Sequence, residues 1–231
     1  MPAQHDNRLD VSIAGEAFVA LPERALYWPA RRRLIIADLH LGKEHIFRRY
    51  GIAVPDGVTQ DDLHRLSRLL EVTGAQSLWV VGDLLHGPSA PAGWKDVWKT
   101  WRQRHAALDV AVLAGNHDRL LARAELDVRL LGEACCDGPL MFRHMPQRDP
   151  GGRHVIAGHL HPKARVPGLP RSWPAFWMQE EVTVLPAFSE FTGGYPVRAD
   201  AQSAILACVG GELVALRRGG TASQKATQSC W

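Results

Sequence analysis

The stretch Leu34-Ile35-Ile36-Ala37-Asp38-Leu39-His40-Leu41-Gly42-Lys43 opens as a short apolar run and then presents a carboxylate and an imidazole two positions apart. A run of this length, broken by polar residues, predicts a buried strand over Leu34–Ala37 that carries Asp38 and His40 at its carboxyl end. The same pattern recurs along the chain. Ser77–Val81 runs into Gly82-Asp83, Val110–Ala114 into Gly115-Asn116-His117-Asp118, and His154–Ala157 into Gly158-His159-Leu160-His161. Between these runs the spacing is helical. Thr59–Leu70 opens on Thr59 as an N-cap and sets Leu63, Leu66 and Leu70 on one face, while Trp94, Trp98 and Trp101 recur at i, i+4 and i+7. Alternating strands and helices predict a sheet covered by helices, and in such sheets the strand carboxyl ends converge on a ligand crevice.

Beyond Gly115 the pattern reads as helical through Leu131, followed by strands at Leu140–Phe142 and His154–Ala157. From Glu181 the chain turns β-like at Val182–Leu185, Ala204–Val209 and Glu212–Leu216, the last two forming a hairpin about Gly210-Gly211. Residues 162–177, rich in proline and tryptophan, predict an ordered loop. Residues 217–231 predict a disordered tail, leaving residues 1–216 as a single domain.

With 231 residues, 46% hydrophobic and 22% charged, the chain has a globular composition that excludes disordered, collagen-like and coiled-coil classes. No apolar run approaches the ~20 residues that cross a bilayer, and residues 1–10 lack a basic stretch followed by an apolar core. Four cysteines, Cys135 and Cys136 adjacent with Cys208 and Cys230 isolated, form neither a disulfide framework nor a Cys-x-x-Cys site. The expectation is a cytoplasmic protein with no membrane partner. The net charge is +3, and Arg217, Arg218 and Lys225 account for it, so residues 1–216 are formally neutral. A polyanion would have to be held by local features.

In an extended segment, side chains at i and i+2 project to one side, so Asp38 with His40, and His159 with His161, can each address a single centre. Carboxylate, imidazole and amide oxygen together suit Mn, Fe or Zn. One carboxylate can bridge two ions ~3.5–4 Å apart, the spacing used in two-metal hydrolysis. Two such ions against Asp38 and Asp83 leave a positive site that attracts phosphate.

These blocks, in order, resemble the calcineurin-like metallophosphoesterase superfamily, with its Asp-x-His, Gly-Asp, Gly-Asn-His-Asp/Glu, lone His and Gly-His-x-His. Ala37–Lys43, Gly82–His86, Gly158–Pro162, Leu185-Pro186-Ala187-Phe188 and Thr192-Gly193-Gly194 are similar to the bacterial ligase-associated DNA damage response endonucleases. The resemblance implies an α/β four-layer α/β/β/α sandwich, two mixed sheets flanked by helices. It implies two divalent metal ions, manganese first with iron or zinc as alternatives. Metal one would be held by Asp38, His40, Asp83 and His161, and metal two by Asp83, Asn116, His144 and His159. His117 would protonate the leaving oxygen, with Asp118 orienting its ring. DNA-repair proteins are implied as partners.

The ligand His144 has a rival in His154, but His144 follows a short apolar run as the other ligands do. Arg119, next to the Asn-His-Asp block, is a candidate phosphate contact. His86 is either a substrate-side contact or a loop residue. The tryptophan stripe can stack bases, although its spacing is that of any buried helix face. Arg31–Arg33 and Arg48-Arg49 either track a nucleic-acid backbone or are simply solvated. The function expected is a two-metal phosphodiesterase on nucleic acid. The alternatives are a phosphatase or pyrophosphohydrolase on a nucleotide or other small phosphoester, and a non-catalytic scaffold.

Overall fold

The computed structural model describes residues 7–55, 57–87, 93–118, 121–190 and 192–217. Arg119 and the tail from residue 218 onward lie outside them. The first half of the chain builds one sheet: β1 (Leu9–Ile13), β2 (Glu16–Leu21), β3 (Ala25–Trp28), β4 (Arg33–Ile36), α1 (Lys43–Arg49), α2 (Val58–Thr73), β5 (Ser77–Val81), α3 (Gly93–Arg104), β6 (Asp109–Leu113) and β7 (Arg129–Leu130). Its strands lie in sequence order, antiparallel from β1 to β4 and parallel from β4 to β7.

The second sheet follows: β8 (Ala134–Asp137), β9 (Leu140–Arg143), β10 (His154–Ala157), β11 (Lys163–Arg165), β12 (Ser172–Gln179), β13 (Val182–Val184), β14 (Pro196–Val197), β15 (Ser203–Val209) and β16 (Glu212–Leu216). Here β10 pairs parallel with β9 and β13, while β12 runs antiparallel to β11, β13 and β15. Both sheets are therefore mixed.

Burial explains the order of the layers. In β4, Leu34 and Ile36 face α2 and α3, whereas Ile35 faces the second sheet, so a strand apolar on both sides is covered on both. Leu63, Leu66, Leu69 and Leu70 of α2 join Trp94, Trp98 and Trp101 of α3 over one face. The tryptophan stripe is core, with Trp98 Nε1 donating to Leu126 O at 2.8 Å. Between the sheets lie Phe18, Trp28, Phe142, Ile156, Phe176 and Leu185. Of the two helical layers expected, the described residues supply one, on the first sheet.

Several sequence expectations are corrected. The N-terminal meander β1–β3 adds three antiparallel strands beyond those the apolar runs predict. The described residues among 116–131 form no long helix: they hold a 3₁₀ turn at Leu121–Arg123 and β7. Carbonyls and carboxylates there are taken by α3, through Trp98 on Leu126 and Arg102 on Asp127, and left-handed backbone at Glu125 and Asp127 interrupts helical geometry. Within 162–177 the chain forms β11 and the start of β12, a hairpin rather than a loop. Gly57, not Thr59, precedes α2, and the Thr59 hydroxyl donates to Glu44 Oε2 at 2.9 Å.

Candidate metal centre

Five loops meet where the parallel strands end. The backbone after β4 runs beside the backbone after β5, with Asp38 N, His40 N and Leu41 N donating to Gly82 O, Asp83 O and Leu84 O at 3.1, 2.9 and 2.8 Å. This pairing carries the Asp38 and Asp83 loops together. On the other flank Phe188 N donates to Ala37 O at 2.8 Å, so the segment after β13 supports the Asp38 loop.

The backbone of these loops is unusual. Asp38, His40, Asp83, His159 and His161 all have φ between +47° and +69°, five of the ten non-glycine residues with positive φ among those described. Strain of this kind persists where the surroundings over-determine it, which is typical of functional sites. The i, i+2 expectation is met by one pair and corrected for the other, since Asp38 and His40 share a cluster but His159 and His161 fall in different ones: Asp38, His40 and His161 offer ligand atoms within 4.8 Å of one another, and so do Asp83, His144 and His159.

Distances within the clusters are short. His161 Nε2 lies 3.4 Å from both His40 Nε2 and Asp38 Oδ1. His144 Nε2 lies 3.3 Å from Asp83 Oδ2, 3.1 Å from His159 Nδ1 and 2.8 Å from Asn116 Oδ1. His144 Nδ1 stands 3.8 Å from Asp38 Oδ1, so the two clusters adjoin. The rival His154 is elsewhere, its ring 2.9 Å from Thr183 Oγ1 and 3.1 Å from Glu180 O.

The residues fit a pair of divalent ions on two grounds. Asp38 and Asp83 are buried carboxylates surrounded by imidazoles, an anionic O/N donor set that calls for a cation. In addition, glycine is what leaves them room. A Cβ at Gly82 would stand 2.1 Å from His144 Nδ1, at Gly115 2.1 Å from Asp83 Oδ1, and at Gly158 2.7 Å from Asp38 Oδ2.

Electrostatics agree. Burial acts to raise the Asp83 carboxyl, but the His144 hydrogen bond and charge, with the His117 amide at 2.9 Å, bring it down to about 2. Burial and the Lys43 charge hold His40 well below the usual imidazole range, and burial lowers His159. Both shifts favour the neutral ring with a free electron pair, the form that ligates. His144 is raised instead, burial being outweighed by Asp83 and Asp38.

His117 and His86 border the clusters. Their rings stack at 5.5 Å, the His117 ring lies edge-on to His40 at 5.7 Å, and His86 Nδ1 is 3.4 Å from His40 Nδ1. His86 is half-buried, and burial with the Lys43 charge lowers it to about 4. Asp118 does not orient the His117 ring. Its carboxylate accepts from the backbone N–H groups of Leu84, Leu85 and Gly115 at 3.2, 2.9 and 2.9 Å, fastening the β5 loop to the β6 loop.

Sequence reasoning missed the support behind Asp38. Arg24 and Arg65 both grip Glu190 Oε1, at 2.8 and 2.9 Å, and both donate to Phe188 O, while Arg65 also holds Asp62 at 2.8 Å. Only the motif Leu185–Phe188 hinted that this late segment reaches the centre.

Two mixed sheets whose strand ends bring together adjoining Asp/His clusters define the class as metal-dependent phosphoesterases. The chain belongs to the calcineurin-like phosphoesterase family, whose profile matches residues 31–211. Among solved structures it is similar to the Pseudomonas putida nuclease MPE, with 33% identity and a TM-score of 0.76 over 90% of this chain and 98% of that one. It is also similar to Yfce, a phosphoesterase from E. coli, with 17% identity and a TM-score of 0.45 over 78% of this chain and 95% of that one. No curated protein matches the chain.

Proposed function

We propose that the protein is a two-metal phosphodiesterase that cleaves nucleic acid. The observation that carries the two-metal reading is the pair of adjoining clusters on strained loops, Asp38/His40/His161 and Asp83/His144/His159. Asp83 is read as the bridge, Asn116 as an additional ligand of the second ion, and Asp38, His40 and His161 as ligands of the first. Manganese is the metal of choice, with iron or zinc able to use the same donors. The metals, when bound, supply Lewis-acid polarisation of the phosphate and an activated water.

The chain's own residues do the rest. Asp83 and Asp38 hold their geometry through backbone amides, Asp38 by accepting from His159 N at 3.0 Å. The His117 imidazole, exposed and bound to no described carboxylate, holds a proton for the departing oxygen. His86 flanks it on the substrate side. Residues 1–216 are read as one domain, a reading supported by the single apolar layer that joins both sheets among the described residues. The free thiols at Cys135, Cys136 and Cys208 suit a reducing cytoplasm.

The nucleic-acid substrate is favoured by similarity to the P. putida nuclease. The test is a hydrolysis screen with manganese on a nitrophenyl diester, a nitrophenyl monoester, nucleotides, and single-stranded and duplex DNA. Diester and DNA cleavage above monoester cleavage is expected. Strong monoester preference with no DNA cleavage would replace this reading with a small-molecule phosphatase.

A further inference from the structure

Lys43 ends the first motif and has no part in ligation or proton transfer as assigned above. Its side chain is 4% exposed, and among the described residues its ammonium has neither a hydrogen bond nor an ion pair. Nζ stands 5.2 Å from the Phe47 ring centroid, and Phe47 lies edge-on to His86 at 5.6 Å. The Lys43 charge also acts on both His86 and His40, which places the ammonium near these two rings.

Asp38 and Asp62 are the anions that act on it most, against a burial that brings it down to about 8. Neither is free to neutralise it. Asp62 is engaged by Arg65 at 2.8 Å, and Asp38 faces the metal cluster. Largely buried but not among the fully enclosed unpartnered atoms, the ammonium has no dedicated counter-ion and is open to an anion arriving from solvent.

We propose that Lys43 is a substrate-binding residue whose ammonium holds a non-bridging oxygen of the phosphate being cleaved, from the flank formed by His86 and Phe47. The inference rests on the phosphoesterase reading and adds to it a contact supplied by the chain rather than by metal. A phosphodiester brings one negative charge, which the Lys43 ammonium would meet beside His86 and His40.

The experiment uses full-length, manganese-loaded protein, with inorganic phosphate as the probe, read by calorimetry and as inhibition of nitrophenyl diester hydrolysis. Lys43→Met should keep both ions and a melting temperature at or above wild type. It should weaken phosphate binding and raise KM by about 10–100-fold, the worth of one charge-assisted hydrogen bond. Lys43→Arg should recover most of the loss. Should the methionine variant not fold, Lys43→Gln reads the same constants. Unchanged phosphate binding and KM, with hydrolysis intact, would overturn the role of Lys43 alone. Loss of metal, or a lower melting point with phosphate binding unchanged, would make Lys43 a structural counter-ion and overturn it equally. A wild-type protein that neither binds phosphate nor cleaves diesters would overturn the phosphoesterase reading and the inference together.

Discussion

Gly115 leaves the site no room for a methyl group: its Cβ would meet Asp83 Oδ1 at 2.1 Å and Asp83 N at 2.3 Å. Gly115→Ala should therefore displace the Asp83 carboxylate proposed above as the bridge, and metal analysis after loading with manganese should give fewer than one ion per chain. Retention of two would separate Asp83 from both sites. His117 is tested differently, because its loss should spare the metals. General acid catalysis contributes about 10²–10⁴-fold and matters most for a basic leaving group. His117→Asn should accordingly slow DNA cleavage by that order and a nitrophenyl diester far less. Equal fractional losses, or loss of an ion, would assign His117 to electrostatics or ligation. At this scale the sequence was most legible where residue type and position coincide, as in Asp38-x-His40 or Gly82-Asp83. It misled at Asp118, whose neighbour in sequence is His117 but whose neighbours in space are the amides of Leu84, Leu85 and Gly115.

Among the elements, strands and helices with strong periodicity, β4, β5, β6, α2 and α3, were legible because a buried face leaves its period in the sequence. The turn-rich stretch after His117 was not, since its conformation is set by α3 side chains distant in sequence. Trp98→Ala should show how much α3 contributes: the side chain is fully buried, and the loss should be about 3–5 kcal/mol in denaturant melts. A loss under about 1 kcal/mol would mean that α3 is weakly packed. The run Arg31–Arg33 also resolves at this scale. Arg31 Nη2 and Arg33 Nη1 hold Asp137 of β8 at 2.9 and 2.8 Å, tying the second sheet to the first. Burial acts to raise Asp137, but the two arginines outweigh it and hold the carboxyl below its ordinary value. A depressed folded-state value means that this tie is complete above the unfolded carboxylate range and is lost as pH falls through the folded value. Asp137→Asn should lower the melting temperature at neutral pH and remove part of its fall below about pH 4. A wild-type acid limb in the variant would contradict the tie.

For the whole molecule, two sheets built from separate halves of the chain become useful only when their strand ends meet, and the metals should reinforce that meeting. Ions that bind the folded chain and not the unfolded one stabilise it by about 2.7 kcal/mol at a hundredfold excess over Kd. For a chain of this size that is roughly 5–10 °C in melting temperature, which chelation should reverse. A melting point indifferent to manganese and chelator would deny the coupling. The most direct measurement of the central claim is anomalous diffraction from manganese-soaked crystals. Two peaks about 3.5–4 Å apart are expected, with Asp83 between them, Asp38, His40 and His161 around one, and Asn116, His144 and His159 around the other. A single peak, or peaks away from these side chains, would contradict it.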